Sequence, residues 1–512
     1  MASYSNSMQR NLYGRETIYI NQVEKDLLSL EDAKLKRVLE EYIPVIVDVH
    51  SRNKKRTRKL WDYYLGIQDI QNKEKKTRKD INNTPVENWA YALVDFKKAW
   101  QLGNPIQYVM INSSSSKEIE VLNKYARNVD KESKDQWIYE DILVTGRGFR
   151  FQNYIPAEYR DSENDVPFEM YNLDRDSCEV VYEAGIEHRQ LFSVVFTDME
   201  KVVKVKGEEK TIDYTQLTIY LRSKTLVCDV YADKVVWGKE IKPIVLNDHV
   251  ITEYYVNRDR ISMIEIGKDL FDAINQLEAL DMDDMEQFVN AIMVFTNAEI
   301  DEEGLEEIQE LGAVNIKSTD QKKASVELLS NRLNAADTQV FYTRLITALH
   351  QILGIPMATD TGSVTSGDTG KAKMTGQGYT SAGIRAKTDE TMFKKCDFAA
   401  LKIILKICKS DSKSEIQTLT AGDVDSKMNR DMSDNLLVKT QGLMNLLTAR
   451  IPKEYALPIV NLFSDSNAVV EKMEQQEAED AKKAEEQLAD QATANEQNNN
   501  IKQAEELDTQ AQ

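Results

Sequence analysis

The segment from Met357 to Lys387 is rich in glycine, and glycine-rich loops can bind phosphate groups through their backbone. Gly362 and Gly367 have the separation of the two glycines in a phosphate-binding loop. Asp368 and Thr369 follow at the positions where that loop needs Lys and then Ser or Thr, and a carboxylate there would repel a phosphate. The sequence therefore does not predict a nucleotide site.

Residue types that bind metals are present but lack the spacing of a site. The histidines stand alone, with no pair four residues apart: His50, His188, His249 and His350. The acidic run from Asp281 to Glu286 lacks the alternating ligands and central glycine of a calcium loop. We interpret the cysteines as buried small hydrophobic residues of a protein in a reducing compartment: Cys178, Cys228, Cys396 and Cys408. These patterns predict no catalytic site, no metal site and no cofactor.

The composition is that of an ordinary globular protein. A chain of 512 residues with 41% hydrophobic and 29% charged residues has room for two to four packed modules. No apolar run approaches the roughly 18 residues of a membrane span, and residues 1–15 lack the apolar stretch of a secretory signal. The net charge of −20 argues against a broad basic face that binds nucleic acid. It permits an acidic channel in which DNA is contacted at a few basic points.

In the first half of the chain, hydrophobic periodicity predicts helix over most of the first 60 residues, interrupted at Pro44, and again from about Lys117 to Val144. The basic run from Arg52 to Lys59 fits either a solvated helix face or a phosphate-binding surface. Short β-branched and aromatic segments between Cys178 and Trp237, separated by turn residues, predict an antiparallel β module.

In the second half, two predicted helices, at about 261–288 and at Ala335–Leu353, enclose a small insert. The insert contains strand candidates at 292–296 and 314–317 and an acidic helix at 302–311. The glycine-rich segment that follows has more basic than acidic residues, with its cations at Lys371, Lys373, Arg385 and Lys387.

The rest of the chain is predicted to be helical, at Thr388–Cys408, Ser433–Arg450 and Glu454–Phe463. Beyond about Glu471 the composition is dominated by Glu, Gln, Ala, Lys and Asn. That composition predicts a solvated helix that becomes disordered toward the end of the chain.

One segment resembles a known family in its residue order. Trp61 to Gly66 closes a helix, and a loop with Asn82, Asn83 and Pro85 leads to a second helix that carries Asp95. That helix ends in Gly103-Asn104-Pro105-Ile106. The order resembles the N-terminal half of portal proteins from tailed bacteriophages with long non-contractile tails.

The resemblance continues over about residues 20 to 470. Leu173-Asp174 followed by Val180-Val181-Tyr182, the helix–insert–helix order and Ile451-Pro452-Lys453-Glu454 are similar to successive segments of such portals. Residues 381–387 are a loose version of a Ser-Gly-x-Ala-x-Lys signature of the family.

The resemblance implies an α+β, predominantly helical subunit. It implies the following parts: a wing at 1–260 with its β module at about 178–237, a first stem helix at 261–288, a clip at 289–325, a second stem helix at 326–356, a tunnel loop at 357–387, the C-terminal part of the wing at 388–422, crown helices at 423–470 and a tail at 471–512.

The resemblance also implies a function. Such portals form a ring, usually of twelve subunits, at one capsid vertex, and DNA passes through it during genome packaging and ejection. Implied partners are the large terminase subunit, a head-completion or tail adaptor, the major capsid protein and scaffold, with assembly in the host cytoplasm and no membrane. Lys371, Lys373, Arg385 and Lys387 would attract DNA phosphates without sequence preference. The acidic clip residues Glu302, Glu303, Glu306 and Glu307 either meet basic partner surfaces or are solvated.

Two other functions were weighed. Another virion component, a neck or internal protein, would lack the helix–insert–helix order and a hydrophobic seam for ring closure. An enzyme such as a motor ATPase or a nuclease would need a phosphate loop or metal-binding carboxylates, and neither pattern is visible. The sequence thus predicts a portal protein and not an enzyme.

Overall fold

The structure is a computed structural model, and it describes most of the chain. The described residues are 9–10, 16–76, 79–111, 116–160, 165–205, 208–232, 234–289, 292–296, 325–329, 335–357, 379–428, 436–460, 469–470 and 472–483. They belong to two compact units. The first comprises Met1–Lys98, Trp137–Arg150 and Asn172–Phe393, and the second comprises Ala99–Gln136, Phe151–Tyr171 and Lys394–Gln512.

Helices dominate the described residues, as the sequence predicts. They are α1 (Glu24–Ser29), α2 (Asp32–Tyr64), α3 (Trp89–Leu102), α4 (Lys117–Asn128), α5 (Lys131–Thr145), α6 (Met263–Val289), α7 (Ala335–Leu353), α8 (Tyr379–Ser410), α9 (Leu436–Thr448) and α10 (Lys453–Val460). Short 3₁₀ turns lie at Asp69–Asn72, Ala157–Tyr159 and Ala421–Asp423, and residues 472–483 are helical.

The strands are β1 (Gln9–Arg10), β2 (Glu16–Ile20), β3 (Gln107–Met110), β4 (Gly148–Tyr154), β5 (Phe168–Asn172), β6 (Cys178–Glu183), β7 (Gln190–Val205), β8 (Glu208–Tyr220), β9 (Lys224–Val230), β10 (Val235–Trp237), β11 (Lys242–Pro243), β12 (Ile251–Tyr254), β13 (Ile292–Thr296), β14 (Ser325–Leu329) and β15 (Val424–Lys427). The mixture of helix and sheet confirms the α+β class.

The predicted β module is the main sheet of the first unit. Its strands have the order β1-β2-β6-β7-β8-β9-β10, with β11 paired to β9, and its neighbours from β6 to β10 are antiparallel. The sequence pattern predicts only short strands here, whereas β7 is one long strand paired with β8 through Val205. Helix α2 covers the sheet, and both contribute to one core: Leu35, Leu39, Ile43, Ile46, Val49, Val181, Phe192, Leu217 and Leu226.

Three predictions of helix boundaries are wrong. Residues 16–20, predicted as part of a helix, form β2, which pairs in parallel with β6 and gains its backbone hydrogen bonds there. Pro44 does not interrupt α2, because it lies on the exposed side while Ile43 and Ile46 are buried against the sheet on either side of it. The segment 117–144 is two helices, because Asp130 adopts a left-handed backbone conformation with a φ of 52°.

The predicted hairpin of helices is α6 and α7, with different ends. Residues 325–329, next to and inside the segment predicted as the second stem helix, form β14, which pairs with β13 in antiparallel register. The helical part of 326–356 therefore begins at Ala335. Helix α8 begins at Tyr379, so Arg385 and Lys387 lie on a helix and not in the predicted loop.

The second unit is organised around a buried carboxylate. Asp397 on α8 binds the Lys131 Nζ at 3.0 Å and accepts hydrogen bonds from the Tyr108 hydroxyl at 3.2 Å and the Ser426 hydroxyl at 3.0 Å. Tyr108 and Ser426 also face each other across the antiparallel β3–β15 pair. Three distant segments of the second unit are thus joined at one carboxylate.

The first unit has its own buried ion pair, between Arg147 and Glu179. The guanidinium donates to both carboxylate oxygens, at 2.6 and 2.7 Å, and Asn53 donates to the same carboxylate at 3.2 Å. Burial by itself would raise the pKa of Glu179, but the charge of Arg147 and the hydrogen bonds from His50 and Arg147 lower it to about 2. The sheet and α2 are therefore joined by a charged group that stays ionised.

Replacing Arg147 by Met should leave the Glu179 carboxylate buried without its cation. We expect the free energy of unfolding to fall by about 3–5 kcal/mol. Arg58→Met is the matched control, since Arg58 is 63% exposed in its ion pair with Asp176 and should contribute less than about 1 kcal/mol. Equal losses in urea unfolding of the two variants would contradict this account.

Candidate functional site

The helical hairpin is antiparallel. A Cβ built on Gly267, near the start of α6, would lie 3.4 Å from a Leu349 methyl group near the end of α7. Farther along, Tyr342 of α7 is close to Glu278. Burial, then the hydrogen bond to Glu87 and the charges of Glu87 and Glu278, raise the pKa of this tyrosine. The two helices pack along each other.

One side of α6 is a polar ladder, which we define as the side chains that recur every three or four residues and lie on one stripe: Glu265, Lys268, Asp272, Asn275, Asp283 and Glu286. Every member binds a side chain or backbone group from residues 56–83. The Arg56 guanidinium donates to Glu265 at 2.7 Å, and the Tyr63 hydroxyl donates to Asp272 at 2.6 Å. Residues 56–83 include Tyr63-Tyr64-Leu65-Gly66 and Asn82-Asn83. The segment whose order resembles the portal family is therefore the segment that binds α6.

Asp283 is the most heavily bonded member of the ladder. Its carboxylate, 3% exposed, lies 2.7 Å from the Lys73 Nζ and 2.6 Å from the Lys75 Nζ, and it accepts from the Asn83 backbone N–H at 2.7 Å. Burial opposes ionisation, but these lysine and amide hydrogen bonds outweigh it and lower the pKa of Asp283 well below its usual range. Two residues of the acidic run, Asp283 and Glu286, are thus structural. Across the described ranges, no group of three His, Cys, Asp or Glu side chains is arranged to bind a metal.

Replacing Asp283 by Ala should leave two partly buried lysines without their carboxylate. We expect the free energy of unfolding to fall by about 2–3 kcal/mol at pH 7. Asp284→Ala removes the neighbouring acid, which is not in the ladder, and should change stability by about 0.5 kcal/mol or less. Because the pKa of Asp283 is lowered, its contribution is complete above the ordinary value of 3.8 and declines as the pH falls below it. Equal effects of the two substitutions across pH 3 to 7 would contradict the ladder.

The basic run from Arg52 to Lys59 has carboxylate partners within the first unit. The pairs are Arg52–Glu16, Lys54–Asp198, Arg56–Glu265, Arg58–Asp176 and Lys59–Asp69. Asn53 and Thr57 on the same helix are buried. These ion pairs favour a structural role for the run over the phosphate-binding alternative.

The histidines and cysteines are also accounted for. Each histidine ring nitrogen that is bonded faces a carboxylate or backbone carbonyl of the chain: His50–Glu179, His188–Glu183, His249–Glu24 and His350–Pro356. All four cysteines are free and buried, which confirms their interpretation as buried small residues. None of these side chains forms a nucleophile–base pair in the part of the chain that the structure describes.

The predicted DNA-contact residues divide into two groups. Arg385 donates to the Ile352 carbonyl at 2.8 Å, where α7 ends, and its side chain packs on Gly354. Lys387 is exposed on α8. Lys371 and Lys373 lie outside the described residues, as do the clip residues Glu302, Glu303, Glu306 and Glu307 and the strand candidate at 314–317.

Gly354 is required at the end of α7. Its φ is +70°, and a Cβ there would meet the Arg385 side chain at 2.2 Å. Gly354→Ala should therefore lower the free energy of unfolding by about 1–3 kcal/mol. Gly442→Ala is the matched control, because a Cβ at Gly442 would meet nothing within 4 Å and the residue lies in a helix, where Ala is favoured. Thermal melts in which both variants are equally stable would contradict this requirement.

A cavity of about 320 Å³ lies beside Arg385 in the first unit. Its wall is mostly apolar and includes Ile142, Met263 and Leu353, and its charged part is the Lys97–Asp389 ion pair at 2.8 Å. An apolar wall with one closed ion pair offers no acid–base chemistry. We interpret the cavity as a packing feature of the helix ends.

The exposed faces of the hairpin were missed by the sequence reasoning. On α7, Val340 is 70% exposed and Phe341 and Ile352 are about half exposed, on the side away from α6. On α6, Ile266 and Leu280 are exposed on the side away from α7. Phe341 and Ile352 are about three helical turns apart and Ile266 and Leu280 about four, so each pair lies on one side of its helix, which was a readable signal. Exposed apolar faces of this kind mark interaction surfaces.

A family model described as "Phage portal protein, SPP1 Gp6-like" matches residues 44–483. This chain belongs to that portal protein family. The match includes the segment that binds the polar ladder, both helices of the hairpin and the C-terminal helices. No curated protein sequence matches the chain.

The family membership confirms the prediction of a bacteriophage portal protein, a structural protein of the capsid vertex with a role in genome packaging. Portal proteins are structural and not enzymatic as a family. In the described ranges, none of the helices is sufficiently long and apolar to cross a bilayer.

Proposed function

We propose that this portal subunit forms a closed ring of twelve copies at one capsid vertex, and that the ring is the conduit for DNA during packaging and ejection. Family membership supports the proposal. The observation that carries it is the pair of exposed apolar faces, one on α6 and one on α7. A soluble monomer gains nothing by exposing Val340 and Phe341 to water.

Two different faces on two different helices suit a head-to-tail contact. In such a contact the α7 face of one copy packs on the α6 face of the next, and every copy makes both contacts. If the rotation between neighbours closes, the result is a ring in which no apolar face is left open. The polar ladder is directed at residues 56–83 of the same chain, which leaves these two faces for neighbours.

In the ring, α6 and α7 would be the two stem helices, with the clip between them and the wing, tunnel loop, crown and tail as predicted from the sequence. Lys371, Lys373, Arg385 and Lys387 would contact DNA phosphates in the channel. Lys387 supports this role because its exposed ammonium has no carboxylate partner in the described ranges. Arg385 would act mainly through its bond to the end of α7.

Partners would bind at the two ends of the ring. The acidic residues Glu302, Glu303, Glu306 and Glu307 of the clip would dock the large terminase subunit during filling and the head-completion adaptor afterwards. The capsid protein and scaffold would meet the wing during assembly, in the host cytoplasm, and the finished ring would stay in the virion. The ATPase that drives DNA would belong to the terminase.

The deciding experiment is negative-stain electron microscopy of the full chain with its mass in solution. We expect rings with an axial hole and a mass near twelve times 58.6 kDa. A monomer in solution that also fails to form rings when expressed with its scaffold and capsid protein would contradict the proposal and favour a neck or internal protein.

Phe341→Glu should prevent ring formation. It removes a half-exposed aromatic side chain from the apolar contact and places a carboxylate there. The fraction of protein in rings, measured by mass photometry at equal protein concentration, should fall at least tenfold. Ile186→Glu is the matched control, since Ile186 is fully exposed in a hairpin turn of the main sheet. The helical circular dichroism of both variants should match that of the unchanged protein. Intact rings of Phe341→Glu would exclude this face from the interface.

A further inference from the structure

An exposed cation lies in the middle of the apolar face of α7. Arg344 is exposed, and it is one turn from Val340 and Phe341 and two turns from Ile352. It has no carboxylate or carbonyl partner among the described residues. A guanidinium that enters an apolar contact needs a carboxylate in that contact, because a buried charge without a partner is costly.

The α6 helix has unpartnered acids on the side away from the polar ladder. Glu278, Asp281 and Asp284 recur every three residues, and the ion pairs of the described residues include none of them. Burial, and then the charges of Glu87 and Asp281, raise the pKa of Glu278, so these carboxylates repel one another. Of the acidic run, Asp283 and Glu286 are occupied by the ladder, while Asp281 and Asp284 are not.

The heights of these groups along the hairpin can be compared. Since Gly267 faces Leu349 and Glu278 is near Tyr342, Arg344 is level with about residue 274 of α6. Helical side chains lean toward the N-terminus of their own helix. Because the helices are antiparallel, Arg344 leans toward the acidic end of α6, and Asp281 and Asp284 lean toward Arg344. Asp269, which is exposed on α6 whereas Asp281 and Asp284 are half-buried, leans away.

A rotation about a ring axis moves no residue along that axis. If the hairpin runs along the axis, groups at one height in a subunit remain at that height in its neighbour. We infer that the α7 face of one copy docks on the α6 face of the next, with Arg344 paired to Asp281 and Asp284 of that second copy. The inference rests on the proposed ring and names the contact that closes it. The partner is a second copy because one chain carries both the cation and the acids, and none of these side chains has an ion-pair partner among the described residues of its own chain.

The test is a charge exchange in the full chain, read as the fraction of protein in rings by mass photometry and electron microscopy. Arg344→Glu should lower the ring fraction at least tenfold, because like charges would meet in the contact. Adding Asp281→Arg or Asp284→Arg to that variant should restore at least a third of the rings. Adding Asp269→Arg should restore none. Circular dichroism melts should be unchanged throughout, since none of these side chains has a partner within the described chain.

The outcomes separate this inference from the proposed function. If the unchanged protein forms rings and Arg344→Glu forms them equally well, the ion pair is wrong and the ring stands. If Arg344→Glu fails and is restored only by Asp269→Arg, or by no exchange, the pairing with Asp281 and Asp284 is wrong. If the unchanged protein forms no ring under any condition, the proposed function itself fails. Restoration by Asp281→Arg or Asp284→Arg confirms the contact.

Discussion

The first unit depends on the polar ladder between α6 and residues 56–83. Helix α6 has 27 residues, and one of its sides packs on a loop. Its orientation must be fixed, and the backbone N–H and C=O groups of that loop must also find hydrogen-bond partners. The side chains of the polar ladder both fix the orientation of the helix and accept hydrogen bonds from backbone N–H groups of the loop. Asp283 accepts from the Asn83 backbone and binds two lysines, and Asn275 accepts from the Glu87 backbone at 2.8 Å. These bonds orient the hairpin relative to the segment that carries the family's opening motif.

The ladder also explains why the hairpin can serve an assembly. It occupies one side of α6, the packing against α7 occupies another, and the remaining sides of the two helices face outward with apolar residues. A subunit that must expose apolar faces before it assembles needs a rigid framework, or those faces would collapse onto the chain itself. The buried Arg147–Glu179 pair and the α2–sheet core supply that framework in the first unit.

Much of the fold could be predicted from local patterns. The hairpin helices and the strands of the β module lie close to their predicted positions, because burial on one side leaves a period of 3.6 or 2 in the sequence. The failures have tertiary causes. Residues 16–20 form a strand because β6 offers a free edge, and Pro44 is tolerated because the sheet holds both halves of α2. The acidic run resembled a metal cluster only while the lysines and amides that meet Asp283 were unknown.

The sequence by itself determined the class of the protein. The order of motifs over most of the chain indicates a portal, and the absence of catalytic spacing argues against an enzyme, since both are properties of residues close together in the chain. Only the tertiary structure decided which charges are structural and which remain for partners. Asp283 and Asp284 are adjacent and chemically identical, yet one is bound by residues two hundred positions away and the other, half-buried, has no ion-pair partner among the described residues. Such ion pairs depend on which segments meet in space, and the spacing of neighbouring residues in the chain does not encode contacts over two hundred positions.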